Sequence, residues 1–354
     1  MYSLPLKTSF YGNKEFIKNI GLSLYSKNTN SYIISGPRGV GKANFVYKLS
    51  KFILCHYEES SKSDLKNKIT DTDFFSLYDK CKSQYLFENN THPDFLKLEL
   101  DLNSNEKKVP IDKVRKLNSF FQSTFSISKV KVAVINTIDD LSINSMNLLL
   151  KTIEELSKSS YIFLISHNSI NILKTISSRC NQYRINLLGN EEFNIFLNEN
   201  LKKTTLDERY FINEISMGSP GLALSLYNKE VFGFYLNLTN DLLKKSNYFR
   251  LSSSILNLVS VKNKESGFYI FIIRLIISNL IKKTSFFLLQ NKYLETSLSN
   301  EKELIEIIIK NNNLAKILSL HSKFVKDMHS ASFLNISETD IIDNLFKDLF
   351  QNKF

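Results

Sequence analysis

The sequence predicts an α/β domain built on a parallel sheet with crossover helices, followed by an all-helical remainder. Two observations lead to this prediction. Up to about residue 188, apolar or alternating segments of strand length take turns with amphipathic segments of helix length, as in a parallel sheet. Beyond that point only helical periodicity continues. Because 354 residues are too many for one ordinary core, we expect two or three domains.

A glycine-rich loop joins the first strand of this series to the following helix. "SYIIS" at 31–35 reads as the strand, and the helix is expected over 42–54. In a G-x-x-x-x-G-K loop, backbone N–H groups approach phosphates, the lysine reaches the terminal phosphates, and the next residue's hydroxyl holds magnesium. Ala43 stands at the hydroxyl position here, and a glycine turn without function is the alternative interpretation. The loop consists of Gly36, Pro37, Arg38, Gly39, Val40, Gly41, Lys42 and Ala43.

The elements after this helix continue the alternation. Residues 56–91 are polar and irregular, which predicts a surface insertion with room for one helix. Ser142 is a suitable N-cap for the last helix of the series. Strands are expected at 94–100, 131–136, 161–166 and 181–186, and helices at 110–125 and 142–157.

A second ATPase element is an apolar strand that ends in Asp, often followed by Glu, which positions magnesium and the attacking water. The strand "VAVI" at 132–135 is followed by Asn136 and Thr137, and neither is a carboxylate. Asp139 and Asp140 lie further on, where we expect them to cap or precede the next helix. Without a positioned metal and base, most of the electrostatic stabilisation of phosphoryl transfer is missing, so no intrinsic ATPase activity is expected.

The segment "TISSRC" at 175–180 holds the third element of interest. An arginine on an exposed turn at a domain edge can enter a neighbour's nucleotide site and stabilise charge on the transferred phosphate. From the residue alone, the preferred interpretation of Arg179 is an ordinary surface or salt-bridged arginine.

Charge and cysteine content exclude some classes of protein. The net charge of +11 favours polyanions, although heavy use of Lys, Asn and Ile is also what an AT-rich coding sequence produces, so both explanations stay open. No segment reads as an export signal or a membrane span, which predicts a cytoplasmic protein. The three cysteines are far apart, which argues against a disulfide framework. A zinc site is not expected, since Cys55, His56, Cys81 and His92 match no known zinc spacing.

Taken together, these motifs resemble bacterial clamp-loader subunits of the AAA+ class. The resemblance covers about residues 8–230, from the glycine loop through "THPDFLKLEL", "IDKVRKLNSFFQSTF" and "VAVINTIDDLSINSMNLLLKTIEE" to "LISHNSINILKTISSRCNQYRI". It implies an α/β AAA+ P-loop domain at 1–187, a small helical lid at 188–230 and an all-α C-terminal collar at 231–354.

The resemblance also assigns roles to residues. Ser178, Arg179 and Cys180 match the family's trans-acting arginine-finger motif, so Arg179 is the expected finger. Ser166 and His167 occupy the strand end where related ATPases sense the terminal phosphate. Gly221 lies where active relatives carry a second sensing arginine.

In function, the resemblance implies a non-catalytic subunit, or stator, of the DNA polymerase III clamp-loader complex. Its implied partners are gamma/tau and delta subunits, with the sliding clamp and primer-template DNA contacted through the assembled complex, and no membrane. No cofactor is required and no metal is expected, and weak ATP or ADP binding stays open. The alternative is an active AAA+ ATPase, such as a gamma-type loader subunit or a helicase loader, as the intact Lys42 and glycines suggest.

Overall fold

A computed structural model describes residues 11–26, 30–59, 81–100, 108–167, 172–243, 266–294, 298–334 and 336–350 of the chain. The first half alternates strands and helices, as the sequence predicts. Its elements are α1 (Lys14–Ser26), β1 (Ser31–Ser35), α2 (Lys42–Glu59), α3 (Lys82–Glu88), β2 (Phe95–Glu99), α4 (Ile111–Gln122), β3 (Lys131–Asn136), α5 (Ile143–Glu154), β4 (Ser160–Ser166), α6 (Lys174–Ser177) and β5 (Asn181–Arg184).

The five strands form one parallel sheet in the order β2-β3-β4-β1-β5. Successive side chains of a strand point to opposite faces, so each strand contributes to two apolar layers. In β1, Tyr32 and Ile34 pack with the α1 and α2 side, while Ile33 packs with the α4 and α5 side. Both faces are therefore covered, as expected for a parallel sheet with crossover helices.

Local signals in the sequence explain several boundaries. Ser142 is the N-cap of α5, and its hydroxyl accepts a hydrogen bond from the Ser145 N–H at 3.1 Å. The predicted N-cap is thus confirmed. Helix α2 runs five residues beyond the predicted end, because His56 and Tyr57 are buried rather than part of a polar insertion. The rest of the expected insertion, residues 60–80, lies outside the described residues.

One cysteine prediction is wrong. Cys55 of α2 and Cys81, the N-cap of α3, form a disulfide, although their spacing in the sequence argued against one. Both side chains are buried in the same apolar layer, which brings residues distant in sequence into contact. His92 lies in the loop before Pro93 and is buried. Within the described ranges, no group of three or more His, Cys, Asp or Glu side chains is placed to hold a metal ion.

Asp94, which directly precedes β2, fixes the segment that leads into β3. Its buried carboxylate accepts hydrogen bonds from three consecutive backbone N–H groups, those of Ser126 at 2.9 Å, Ile127 at 2.8 Å and Ser128 at 3.0 Å. Charge-assisted bonds of this kind are stronger than neutral ones. The carboxylate therefore fixes the segment that leads into β3, a strand whose carboxyl end contributes to the candidate functional site.

The second half is helical throughout its described residues. Contacts divide the chain into two compact units, one comprising 1–200 with 218–222 and the other 201–217 with 223–354. No described helix is long and apolar enough to cross a membrane. The helices are α7 (Asn190–Asn200), α8 (Leu206–Ser216), α9 (Pro220–Asn228), α10 (Val231–Leu243), α11 (Ser266–Gln290), α12 (Ser299–Asn311), α13 (Leu314–Leu334) and α14 (Glu338–Phe350).

The second unit has a charged group in its interior. Lys283 of α11 lies 2.6 Å from a carboxylate oxygen of Glu214 in α8 and 2.6 Å from one of Glu301 in α12. Glu301 also accepts a hydrogen bond of 2.5 Å from the Tyr235 hydroxyl of α10. Four helices are thus joined by one buried polar network.

Candidate functional site

The carboxyl ends of three adjacent strands form the candidate site. Gly36 follows β1, Asn136 ends β3, and Ser166 ends β4, which lies between the other two strands. The register pairs Ser35 of β1 with Ser166 of β4. In open α/β sheets, ligand sites are found at this edge, where strand order changes direction.

The loop between β1 and α2 depends on glycine for its backbone conformation. Gly39 and Gly41 have φ angles of +80° and +97°, which side chains with a Cβ atom rarely adopt. Helix α2 begins at Lys42, directly after the loop. Strand, loop and helix therefore follow in the predicted order.

Lys42 is turned onto its own loop. Its ammonium group donates hydrogen bonds of 2.6 Å to the carbonyl oxygens of Gly36 and Pro37, and the residue is only 3% exposed. Burial lowers the pKa of Lys42 to about 7, an effect that Arg38 reinforces and that Asp139 opposes. The ammonium hydrogens that would serve a phosphate are thus directed at main-chain oxygens.

The segment "GSPG" at 218–221 packs directly against the loop. The Gly221 N–H donates to the Gly39 carbonyl at 2.8 Å, and the Ser219 hydroxyl donates to the Arg38 carbonyl at 3.2 Å. A Cβ atom on Gly221 would lie 2.8 Å from the Gly39 oxygen, closer than real Cβ contacts allow. This position therefore accommodates glycine and leaves no room at the backbone for a larger residue without movement.

The positions at which the sequence motifs would place magnesium ligands carry no carboxylate. Ala43 has no side-chain oxygen, and the Asn136 amide lies 3.4 Å from the Tyr47 hydroxyl. Thr137 caps a short 3-10 turn, and its hydroxyl donates to the Asp140 carboxylate at 2.9 Å. Asn136, Thr137 and Asp140 thus act in local structure, and Asp140 precedes α5 without capping it, since Ser142 is the N-cap of that helix.

Asp139 is the residue that sequence reasoning missed. Instead of capping the next helix, its carboxylate accepts hydrogen bonds from the Ser166 hydroxyl at 3.0 Å and the His167 N–H at 2.6 Å. It also acts electrostatically on Lys42. No spacing rule indicates this, because the direction of the side chain depends on the turn that follows β3.

His167 completes the group at the strand ends. Burial, with the positive charges of Lys42 and Arg38, lowers the pKa of His167 to about 3, so the ring is neutral at physiological pH. Within the described ranges its two ring nitrogens have no hydrogen-bond partner. The structure thus brings together Lys42, Asp139, Ser166 and His167.

Arg179 lies apart from this group, on an exposed turn after α6. Its Nε atom pairs with Glu154 at 2.7 Å, and its Nη1 atom donates to the Thr175 carbonyl at 3.0 Å. Ser178 is exposed beside it. Cys180 is half-buried, and burial raises the pKa of its thiol to about 12, which keeps it neutral.

Comparison with known proteins gives the family. A sequence model described as "DNA polymerase III, delta subunit" matches residues 12–188, half of the chain. The chain belongs to this family. The matched range holds the entire parallel sheet and Arg179, and the resemblance inferred from the motifs is confirmed.

Three relatives show how far the likeness reaches. DNA polymerase III subunit delta' of Pseudomonas aeruginosa is 28% identical over 58% of this chain and 58% of its own length. The delta' subunit of Buchnera aphidicola subsp. Schizaphis graminum is 26% identical over 65% of this chain and 64% of its own. The gamma subunit of the same organism is 31% identical over 61% and 55%. The chain thus spans less than two thirds of each of these relatives, and the delta-prime name recurs among them.

Proposed function

We propose that this protein is the non-hydrolysing delta-prime subunit, or stator, of a bacterial DNA polymerase III clamp loader. It assembles in the cytoplasm with gamma/tau and delta subunits and supports ATP-dependent loading of the sliding clamp onto primer-template DNA. In the complex it inserts Arg179 into the nucleotide site of a neighbouring ATPase subunit. The names of the relatives and the family match support membership of the clamp-loader complex. The geometry supports an inactive nucleotide site in this chain and an exposed arginine that serves a neighbour.

The observation that carries the proposal is the closed phosphate loop. Lys42 donates to the carbonyl oxygens of its own loop. Gly221 and Ser219 donate to two further carbonyls of that loop, those of Gly39 and Arg38. Ala43 offers no oxygen to a metal ion. These residues do not fit a magnesium-bound nucleotide, so ATP or ADP would bind weakly at most. Neither nucleotide nor zinc is required in this role.

Arg179 has the opposite character, since its side chain is exposed at the surface. A guanidinium has several N–H donors in a planar array that matches phosphate oxygens, and it keeps its charge at all physiological pH values. An arginine supplied by a neighbour stabilises charge on the transferred phosphoryl group. One chain can thus have an inactive site of its own and serve the site of another.

A second candidate function is an active AAA+ ATPase of the gamma type. Two observations favour it: the 31% identity to a gamma subunit, and the position of Asp139, whose carboxylate lies among the polar groups at the strand ends. In this function Asp139 would replace the missing strand-end carboxylate. Lys42 would have to leave its two carbonyl partners before it could reach a phosphate.

The deciding experiment measures ATP hydrolysis in two preparations. The isolated chain is expected to show no turnover above that of the Lys42→Ala variant, and clear turnover that Lys42→Ala abolishes would establish the second function instead. In the complex reconstituted with gamma and delta subunits, Arg179→Ala is expected to lower turnover at the adjacent site about a thousandfold. The total hydrolysis rate of the complex should therefore fall by the fraction that the adjacent site contributes in the wild-type complex.

A matched arginine variant controls for the loss of surface charge. Arg115 is exposed and paired with Asp112 at 3.0 Å, so Arg115→Ala removes a comparable ion pair from another surface. Assembly is followed by gel filtration, and hydrolysis is measured with and without the clamp. If Arg179→Ala and Arg115→Ala complexes hydrolyse ATP at the same rate, Arg179 does not act as the finger.

A further inference from the structure

We propose that Glu154 is a positioning residue for Arg179. Its Oε1 atom lies 2.7 Å from Arg179 Nε, across the gap between the end of α5 and the turn after α6. This inference rests on the proposed role of Arg179 in a partner subunit's nucleotide site. It adds a second residue to that role, one that never touches the phosphate itself.

The guanidinium of Arg179 is held on two of its edges. Glu154 binds Nε, while Nη1 donates to the Thr175 carbonyl at 3.0 Å and lies 3.4 Å from the Ser178 hydroxyl. Nη2 has no hydrogen-bond partner in the described part of the chain. The contacts therefore fix the plane of the guanidinium and leave one edge for a ligand.

The elements that carry Glu154 and Arg179 are packed into the same apolar cluster. Ile153, directly before Glu154, and Ile176, in the helix before Arg179, are buried in one cluster, and Cys180 packs against it. The Arg179 N–H donates to the Ile176 carbonyl at 3.1 Å. The carboxylate and the arginine thus rise from two elements that a shared core holds together.

Exposure determines what this ion pair can contribute. The side chains of Arg179 and Glu154 are 44% and 52% exposed, and exposed pairs add little to folding stability because solvent screens them. A long, flexible arginine has many rotamers, and a carboxylate that favours one of them raises the fraction of molecules ready to bind phosphate. The pair is therefore expected to act on turnover and not on stability.

A carboxylate near an incoming phosphate can also oppose binding through charge repulsion. The geometry favours positioning over repulsion, since Glu154 binds at Nε while the open edge of the guanidinium is at Nη2. The two effects have opposite signs. Removing a positioning residue lowers turnover, whereas removing a competing anion raises it.

The test uses Glu154→Ala, Glu154→Gln and Arg179→Ala in the reconstituted loader complex. Glu154→Ala is expected to lower turnover at the adjacent site up to about fivefold, the range of an exposed ion pair, with KM unchanged, so that total hydrolysis falls by less than it does in Arg179→Ala. Glu154→Gln keeps a side-chain oxygen beside Nε without the negative charge and should recover part of the loss. The matched control is Glu155→Ala, since Glu155 is exposed, is adjacent and pairs only loosely with Lys151, at 3.9 Å.

A double variant separates positioning from other effects. Glu154→Ala should change nothing further in the Arg179→Ala background, because the finger is already absent. An unchanged or raised kcat in Glu154→Ala overturns the inference, as does an equal loss in both backgrounds. If Arg179→Ala itself leaves hydrolysis unaffected, the proposed function fails and this inference fails with it. A loss in Arg179→Ala without one in Glu154→Ala rejects the inference alone.

Discussion

Two buried lysines, one in each compact unit, are held in contrasting ways. Lys42 is 3% exposed and donates to two main-chain carbonyl oxygens, and its pKa is lowered to about 7. Lys283 is 1% exposed and contacts two carboxylates, those of Glu214 and Glu301, each at 2.6 Å. Carbonyl dipoles compensate a buried ammonium group only partly, whereas paired carboxylates compensate it much more fully.

This difference separates a lysine held by main-chain oxygens from one held by carboxylates. A phosphate loop needs a lysine whose charge is left for a ligand, and such a residue lowers the stability of the fold that carries it. Lys283 has its partners within its own unit, where they join α8, α11 and α12. We therefore expect removal of the two lysines to have different effects on stability.

Loss of Lys283 is expected to give the largest effect. Lys283→Met leaves two carboxylates close together without their cation, and breaking a buried ion pair in this way costs about 3–5 kcal/mol. Urea unfolding of the full chain, followed by circular dichroism, measures the change. A loss below about 1 kcal/mol would mean that the network contributes no more than a surface pair.

A triple variant shows whether the loss comes from unpaired charge. Lys283→Met combined with Glu214→Gln and Glu301→Gln removes all three charges and keeps an acceptor for the Tyr235 hydroxyl. Replacing a complete buried ion network is often nearly neutral, so most of the stability should return. If the triple variant is as unstable as Lys283→Met, packing of the lysine side chain is the cause.

The second prediction concerns how stability depends on pH through Lys42. A lysine in an ordinary ion pair has a raised pKa and loses its stabilising effect as pH rises, and Lys42 should do the opposite. The folded pKa of Lys42 is about 7 and its unfolded value 10.5, so between these values the unfolded chain binds more protons. Stability therefore rises with pH in this window and is lowest below pH 7. Between pH 7 and 9, the wild-type chain should gain about 2 kcal/mol relative to Lys42→Met. Parallel urea titrations of both proteins measure this difference, and a constant difference would show that Lys42 stays charged in the fold.

Much of the architecture could be predicted from the sequence, because its signals are local. The strand at 131–136 is a continuous apolar run with its bounds marked by polar residues, and Ser142 precedes a helical pattern that needs a cap. The glycine loop has a fixed spacing, and its backbone conformation follows from that spacing. Each of these features depends on residues within one element.

The remaining features depend on contacts between distant residues. Asp139 reads as a helix cap in sequence, but the turn after β3 directs it to the end of β4. Gly221 and Gly39 meet through main-chain atoms, which leave no pattern in the side chains. The spacing of Cys55 and Cys81 does not indicate a bond, because their pairing depends on the packing of α2 against α3.

Removing Lys42 at pH 7 is expected to have the smallest effect of the three. Lys42→Met loses two hydrogen bonds to the Gly36 and Pro37 carbonyls, which destabilises the fold, and it also relieves the burial of an ammonium group. Each contribution is on the order of 4 kcal/mol at pH 7, and they oppose one another, so the net change should stay within about 1 kcal/mol. The same urea titration at pH 7 measures it. A loss comparable to that of Lys283→Met would show that Lys42 is a structural residue. The two lysines would then differ in their hydrogen-bond partners but have the same role in stability.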